Sequence, residues 1–528
     1  MKVKALKTGL MLAVWLFTAS LPDAANAATN TVTASTNSTA PPEILTPKPA
    51  PTPRINGPKI FGVRPGSPFL YTIPATGERP MEFAADNLPP GLKLGSASGQ
   101  ITGTLETKGE FTVTLRAKNK LGNTEKNFRI VCGDQIALTP PMGWNSWNCF
   151  AGAVSAERVK SAADAFVKYG LINHGWSYIN IDDFWQNHRD SKDATLHGEF
   201  RKPDGEIQPN SRFPDMKGLA DYIHSLGLKA GLYSSPGPWT CGGCAGSLSH
   251  EAQDAATYAA WGFDYLKYDW CSYLQADPKR LWPTGEQRTN YAPAQLTEPY
   301  ALMGKQLAAQ KRDLVFSLCQ YGMGDVWKWG AEVGGQCWRT TDDIHNSWRS
   351  MSEIGFRQDA AAPFAGPGHW NDPDILIVGL VGWGKPHLTA LTPDEQYTHL
   401  SLWCLLAAPL LIGCDLEKLD DFTLGLLTND EVLEVDQDAL GKQAMQVGGA
   451  GDLKIYAKPL DDGSLAVGLF NTGGVAATVT ANWSDLKLKG QQRVRDLWRQ
   501  KDLGIFTDKF EASVAPHGVV LVKISTTK

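Results

Sequence analysis

Between about residues 135 and 442, short apolar runs alternate with stretches whose apolar positions recur at helical spacing. The runs lie near 142–147, 178–182, 229–234, 264–269, 314–320, 337–343, 370–376 and 407–414. Each is short and strand-like, and helical stretches lie between them. In the second connection Met216, Leu219, Ala220 and Ile223 mark one face of a helix, and Gly227 ends it. The densest apolar run, Leu400 to Leu416, is broken by Pro409 and Gly413. That predicts a buried helix feeding a strand, not a membrane span. Eight strand–helix units in roughly 300 residues predict a (β/α)8 TIM barrel. The competing doubly wound sheet needs a glycine-rich phosphate loop after its first strand. Here that position holds Gly143-Trp144-Asn145-Ser146-Trp147, which is unsuited to a phosphate.

On both sides of this region the period changes to two. Residues 55–134 read as short strands between Gly and Pro turns, for example Phe69–Ile73 and Phe111–Leu115, and predict a small β-sandwich. From 443 to 528 helical spacing disappears, and Leu465–Phe470 and Val519–Val522 predict a second, antiparallel β-sandwich. Residues 28–54 are Thr, Ser, Ala, Asn and Pro, too polar to bury a core, and read as a disordered, partly stiff linker. Residues 1–27 have the form of a signal peptide: Lys2, Lys4 and Lys7, an apolar run from about Leu10 to Leu21, then Ala25-Asn26-Ala27 before a cleavage point at Ala28. They predict export to the periplasm or beyond, with no membrane span.

Charge and cysteine narrow the function. A net charge of -5 gives no footprint for nucleic acid or an anionic membrane. The 18 Trp and 14 Tyr suit stacking on the C–H faces of sugars, or simply core filling. Nine cysteines leave at least one unpaired, and none has regular metal spacing. Cys241 and Cys244 form a C-x-x-C without the context of a zinc or thioredoxin site.

Several strands end in carboxylates. Tyr265, Lys267 and Asp269 share one face of their strand, and polar residues there are costly unless they bind or react with something. Ser177–Asp183 and Cys337–Asp343 have the same design. Acids gathered at one rim of a barrel fit the hydrolysis of a glycosidic bond, which needs two carboxyl groups. Asp269, with Lys267 favouring its ionised form, suits the nucleophile. Asp343, on another strand, suits the acid/base. Arg339 can grip sugar hydroxyls or depress the pKa of Asp343. Spacing alone does not decide which aspartate plays which part. Asp182 and Asp183 fit a sugar anchor or a structural pair, and Trp147 fits a hexose platform or a core position.

In order along the chain, Pro141–Trp147, Tyr178–Asp183, Tyr265–Asp269, Trp338–Asp343 and Gly366–Asp374 resemble the motifs of glycoside hydrolase family 27, which includes the α-galactosidases. The run Leu88–Gly103 is similar to the immunoglobulin-like modules attached to some secreted bacterial glycosidases. The resemblance implies a retaining double displacement with Asp269 as nucleophile and Asp343 as acid/base. It implies that Trp147, Asp182, Asp183, Tyr233, Lys267, Cys319 and Arg339 bind galactose, with Asp374 a structural carboxylate nearby. It implies no metal and no organic cofactor, and a Cys241–Cys271 disulfide, with Cys244 as a rival for Cys241. Cys319 and Cys337, on neighbouring strands, are left open as a pair or as free thiols, and Cys404 and Cys414 read as core thiols.

Two departures stand out. Where relatives bridge the loops after the first two strands, this chain has Gly152 and Phe184. Where many have Cys-Glu-Trp beside the sugar's 2-substituent, it has Cys319-Gln320-Tyr321, whose bulk still disfavours an acetamido group. The Asp182–Asp183 pair favours a hexose with a 6-hydroxyl. The expected partner is a galactose-containing oligosaccharide or polysaccharide. A non-catalytic sugar-binding barrel is opposed by the presence of both catalytic aspartates.

Overall fold

The computed structural model describes residues 41–275 and 290–527. The signal peptide and residues 28–40 lie outside the described residues. The central sheet has eight parallel strands: β1 (Met142–Asn145), β2 (Tyr178–Asn180), β3 (Lys229–Ser234), β4 (Tyr265–Asp269), β5 (Val315–Cys319), β6 (Cys337–Arg339), β7 (Trp370–Asp372) and β8 (Leu410–Ile412). Each strand from β1 to β6 pairs with the next, and β8 lies beside β1. Leu376, just past β7, closes the ring. Its N–H donates to the Leu411 carbonyl at 2.8 Å, and its own carbonyl accepts from Gly413 at 3.0 Å.

The barrel interior changes character with height. Tyr178, Tyr265, Val315, Cys337 and Trp370 make an apolar layer at the base. Two residues further on, the register sets Lys267 beside Ser317 and Arg339 beside Asp372. Alternation therefore carries one strand face from an apolar base to ionised groups at the C-terminal rim.

Helices α1 (Ala156–Lys168), α2 (Met216–Ser225), α3 (Glu251–Trp261), α4 (Pro293–Ala308), α5 (Trp348–Gly355) and α6 (Pro393–Leu406) fill the outer layer. The expected face of α2 is buried, and Asp215 caps it by accepting from the Gly218 N–H at 2.8 Å. Helix α6 is buried on all sides. One side covers the barrel; on the other, Thr398 Oγ1 donates to the His517 carbonyl at 2.7 Å, and Trp498 Nε1 donates to Ser401 Oγ at 2.8 Å. A helix buried all round needs two such neighbours. The fifth connection departs from the expected alternation. Residues 320–336 contain a 3-10 turn at Val326–Lys328 and no α-helix. Gly322, Gly324, Gly330, Gly334 and Gly335 account for this, since each glycine costs a helix about 1 kcal/mol.

Both flanking sandwiches are present. The first packs a four-stranded sheet (Ile60–Val63, Gly122–Cys132, Gly109–Asn119, Glu82–Asp86) on a three-stranded one (Pro68–Thr72, Gln100–Thr104, Leu92–Leu94). It sits on the N-terminal face of the barrel, away from the acidic rim. There Arg64 Nε pairs with Asp313 Oδ1 at 2.6 Å, Thr72 Oγ1 donates to the Gly227 carbonyl at 2.8 Å, and Lys229 Nζ lies 4.6 Å from the Phe61 ring centroid. The C-terminal sandwich is a six-stranded antiparallel sheet facing the pair Ala477–Asn482 and Lys509–Val514.

The later part of the linker reading is corrected. The Leu45 N–H donates to Tyr397 Oη at 2.9 Å, Tyr397 Oη donates to the Glu43 carbonyl at 3.1 Å, and Asn429 Nδ2 donates to Thr46 Oγ1 at 3.1 Å. Polar atoms of the barrel thus bind the backbone and Thr46 of this Pro-rich segment, which needs no core of its own. Among the described residues, no helix is long and apolar enough to cross a membrane.

Candidate active site

A pocket of about 120 Å³ opens at the C-terminal rim, lined by Trp147, Asp182, Asp183, Tyr233, Cys241, Lys267, Asp269, Arg339, Asp343 and Asp374 among others. Asp269 and Asp343 thus face one cavity. Strand β4 delivers Asp269 almost fully buried, and both of its oxygens carry hydroxyl donors. Tyr233 Oη donates to Oδ2 at 3.0 Å and Tyr321 Oη to Oδ1 at 2.6 Å. Burial pushes the Asp269 carboxyl above its ordinary value. Lys267 opposes that shift, Asp343 adds to it, and the Tyr321 hydrogen bond opposes it.

Asp343 stands past the end of β6 with its side chain 48 % exposed. Its Oδ1 meets Arg339 Nη2 at 3.1 Å. Partial burial raises its pKa, but Arg339 and then Lys267 outweigh that, so the group lies below the ordinary carboxylate range. Asp374 shares the guanidinium at 2.9 Å and also accepts the Ile344 N–H at 2.7 Å. It therefore fixes both Arg339 and the backbone beside Asp343. Its own φ is +90°, held by the Ile375 and Ile344 amides on its carboxylate.

The sugar-anchoring wall is cross-braced. Asp182 Oδ2 accepts from Lys267 Nζ at 2.8 Å and from Asn145 Nδ2 at 2.9 Å, while Asn145 Oδ1 accepts the Trp147 N–H at 2.8 Å. Asp183 is held by backbone amides: Phe184 N–H on Oδ1 at 2.8 Å and Gly242 N–H on Oδ2 at 2.7 Å. A carboxylate offers about four lone-pair sites, so room is left for a sugar hydroxyl. Burial pushes Asp183 up to about 7, against the hydrogen bonds from Thr240, Gly242 and Phe184. Burial works against the charge on Lys267, yet Asp182 outweighs it and holds the ammonium protonated.

Cys241 and Cys271 form a disulfide with Cα atoms 4.9 Å apart, tying the loop after β3 to the end of β4. Cys244, Cys319, Cys337, Cys404 and Cys414 are free and buried. Gly152 and Phe184 are spatial neighbours: a Cβ on Gly152 would lie 3.2 Å from the Phe184 ring. That ring stacks on Trp147 with centroids 6.4 Å apart, so aromatic packing supports the loops where relatives have a bridge.

Two expectations at the end of β5 are corrected. Cys319 does not line the pocket; it is fully buried, and its Sγ lies 3.6 Å from Arg339 Nη1, so it supports the guanidinium from below. Gln320 does not line the pocket; its amide folds back onto the Met323 carbonyl at 2.8 Å. Tyr321 reaches the site instead. His345 lines the pocket, while His369 stacks on Trp338 with centroids 6.1 Å apart. Trp383 also lines the pocket and had no sequence signal beyond an aromatic between two glycines. Its N–H and that of Gly382 both donate to the Asn148 carbonyl at 2.9 Å.

The family model described as alpha galactosidase A matches residues 139–438, the whole of the barrel that carries this site. The chain belongs to glycoside hydrolase family 27. The model for the alpha galactosidase C-terminal beta sandwich domain matches 450–524, and an Ig domain model matches 52–132. An α-galactosidase of Cyamopsis tetragonoloba is 40% identical over 411 residues, covering 76% of this chain and 91% of that protein. Alpha-galactosidase A of Cellvibrio japonicus is 37% identical over 416 residues, covering 74% and 93%. A solved structure of a candidate α-galactosidase/melibiase from Bacteroides fragilis superposes with a TM-score of 0.81 at 37% identity, covering 90% of this chain and 98% of that one. As a family 27 member the chain is a glycoside hydrolase, and the pocket holds the two carboxyl groups that a displacement at an anomeric carbon requires.

Proposed function

We propose that this protein is a retaining, exo-acting α-galactosidase that removes terminal α-D-galactosyl residues from oligosaccharides or galactomannan side chains. One observation carries the reading: Asp269 and Asp343 share a single pocket whose other wall is the braced Asp182–Asp183 pair. In the first step Asp269 attacks the anomeric carbon while Asp343 gives its proton to the departing oxygen. In the second, Asp343 takes a proton from water, which displaces Asp269, and the configuration is retained. Asp182, Asp183, Tyr233, Lys267 and Arg339 orient the sugar hydroxyls, and Trp147 lies against its apolar face. The relatives' names and the identity over most of the chain support galactose as that sugar.

Asp269→Asn removes the nucleophile without changing its size. It is expected to lower turnover of an aryl α-galactoside by at least roughly 10³-fold. Melting should match the wild type, and the first product from the wild type, read by NMR, should be α-galactose. Retained activity in the variant, or β-galactose as first product, contradicts the reading. A panel of aryl glycosides tests the sugar, with arabinopyranosides and 2-acetamido sugars as the competing outcomes. Export after cleavage before Ala28 belongs to the same proposal and is checked by N-terminal sequencing of the mature protein.

A further inference from the structure

Strand β5 ends in an unusual turn. Tyr321 has φ +63°, a left-handed conformation that costs a bulky residue free energy, and Gly322 follows at φ +79°. Gly322 admits no side chain, because a Cβ there would lie 2.2 Å from the Thr340 carbonyl oxygen. Gln320, tied to the Met323 carbonyl, anchors the turn on its inner side. The result swings the Tyr321 ring across the mouth of β4. There its hydroxyl donates to Asp269 Oδ1 at 2.6 Å, and its ring centroid lies 5.9 Å from the Arg339 guanidinium carbon.

The geometry points to Tyr321 as a catalytic residue that acts chiefly in the second step, by supporting the Asp269 carboxylate as it departs from the sugar. This rests on the retaining mechanism proposed above. When either oxygen of Asp269 bonds to the anomeric carbon, that oxygen gives up its donor, and the other becomes the ester carbonyl. In the second step water oxygen bonds to the anomeric carbon, its proton passes to the Asp343 carboxylate, and the bond from that carbon to Asp269 breaks. The electron pair goes to Asp269, whose oxygens regain both Tyr233 and Tyr321. A donor to a carboxylate that is gaining charge stabilises the transition state more than the neutral ester. In the first step the same donor stabilises the starting carboxylate at least as much, so it gives little acceleration there.

Tyr321→Phe keeps the ring and removes the hydroxyl. With a dinitrophenyl α-galactoside, whose leaving group makes the first step fast, the variant should lose about tenfold in kcat, the effect of one charge-assisted hydrogen bond on partial charge. KM should fall by a similar factor, because galactosyl-enzyme accumulates, and a burst of dinitrophenol should approach one per active site. Unchanged kcat, or a loss confined to kcat/KM with KM constant or raised, overturns the assignment and leaves Tyr321 as packing. If the Phe variant melts early, Tyr321→Leu carries the same expectations. Wild-type protein without turnover of the substrate would overturn the galactosidase reading itself, so the two failures are distinguishable.

Discussion

Asp343 must donate a proton from a place that favours its charge. Arg339 and Lys267 hold its pKa below the ordinary range, whereas burial holds that of Asp269 above it. The productive state needs Asp269 ionised and Asp343 protonated, so only a minor share of the ligand-free protein holds it. With the two groups in this order, the acid limb of activity follows the lower-pKa Asp343 and the alkaline limb the higher-pKa Asp269, which sets an acidic optimum between them. Substrate covers the half-exposed Asp343 and strips its water, and that raises its pKa. The acid limb for kcat should therefore lie above that for kcat/KM; coincident acid limbs contradict this. At this scale the sequence showed the acids, because strand alternation marks them. It did not show the Tyr321 hydroxyl on Asp269 or the true place of Cys319, since a left-handed turn after a strand breaks the alternation that would have located them.

The supporting elements act on loops. The disulfide joins positions separated by 30 residues, so the double variant Cys241→Ser, Cys271→Ser loses about 3–4 kcal/mol of loop restraint in the chain-entropy account. It should melt earlier and bind substrate with a higher KM, since Cys241 lines the pocket and Gly242 holds Asp183. Unchanged KM and melting would mean that the loop is fixed by packing alone. Helix α2 was legible because its burial repeats with a helical period, and strand β3 because it is a short, continuously buried run. The missing fifth helix and the hairpin carrying Trp383 were not. Glycine-rich connections have no period, and their form is set by contacts with neighbouring loops.

At the scale of the whole molecule, the three folded regions are visible where the apolar period changes between two and 3.6. Their docking is not, because single residues at surfaces carry it. Arg64 is the main example: besides Asp313, it donates to the carbonyls of Ala308 at 2.7 Å, Gln310 at 3.1 Å and Arg312 at 2.7 Å, at and just past the end of α4. Arg64→Ala leaves Asp313 without its partner and should cost about 2 kcal/mol, allowing for the partial exposure of both side chains. Limited proteolysis should then cut between the N-terminal sandwich and the barrel, while kcat/KM for an aryl α-galactoside stays at the wild-type level. Lost activity would show that the module shapes the site from the opposite face.

The most direct measurement is to trap the covalent intermediate. A fluorinated α-galactoside that reacts quickly and hydrolyses slowly is mixed with the protein, which is then digested and its peptides weighed. The added mass should sit on Asp269. A labelled Asp343, or active protein with no labelled peptide, would contradict a double displacement through Asp269.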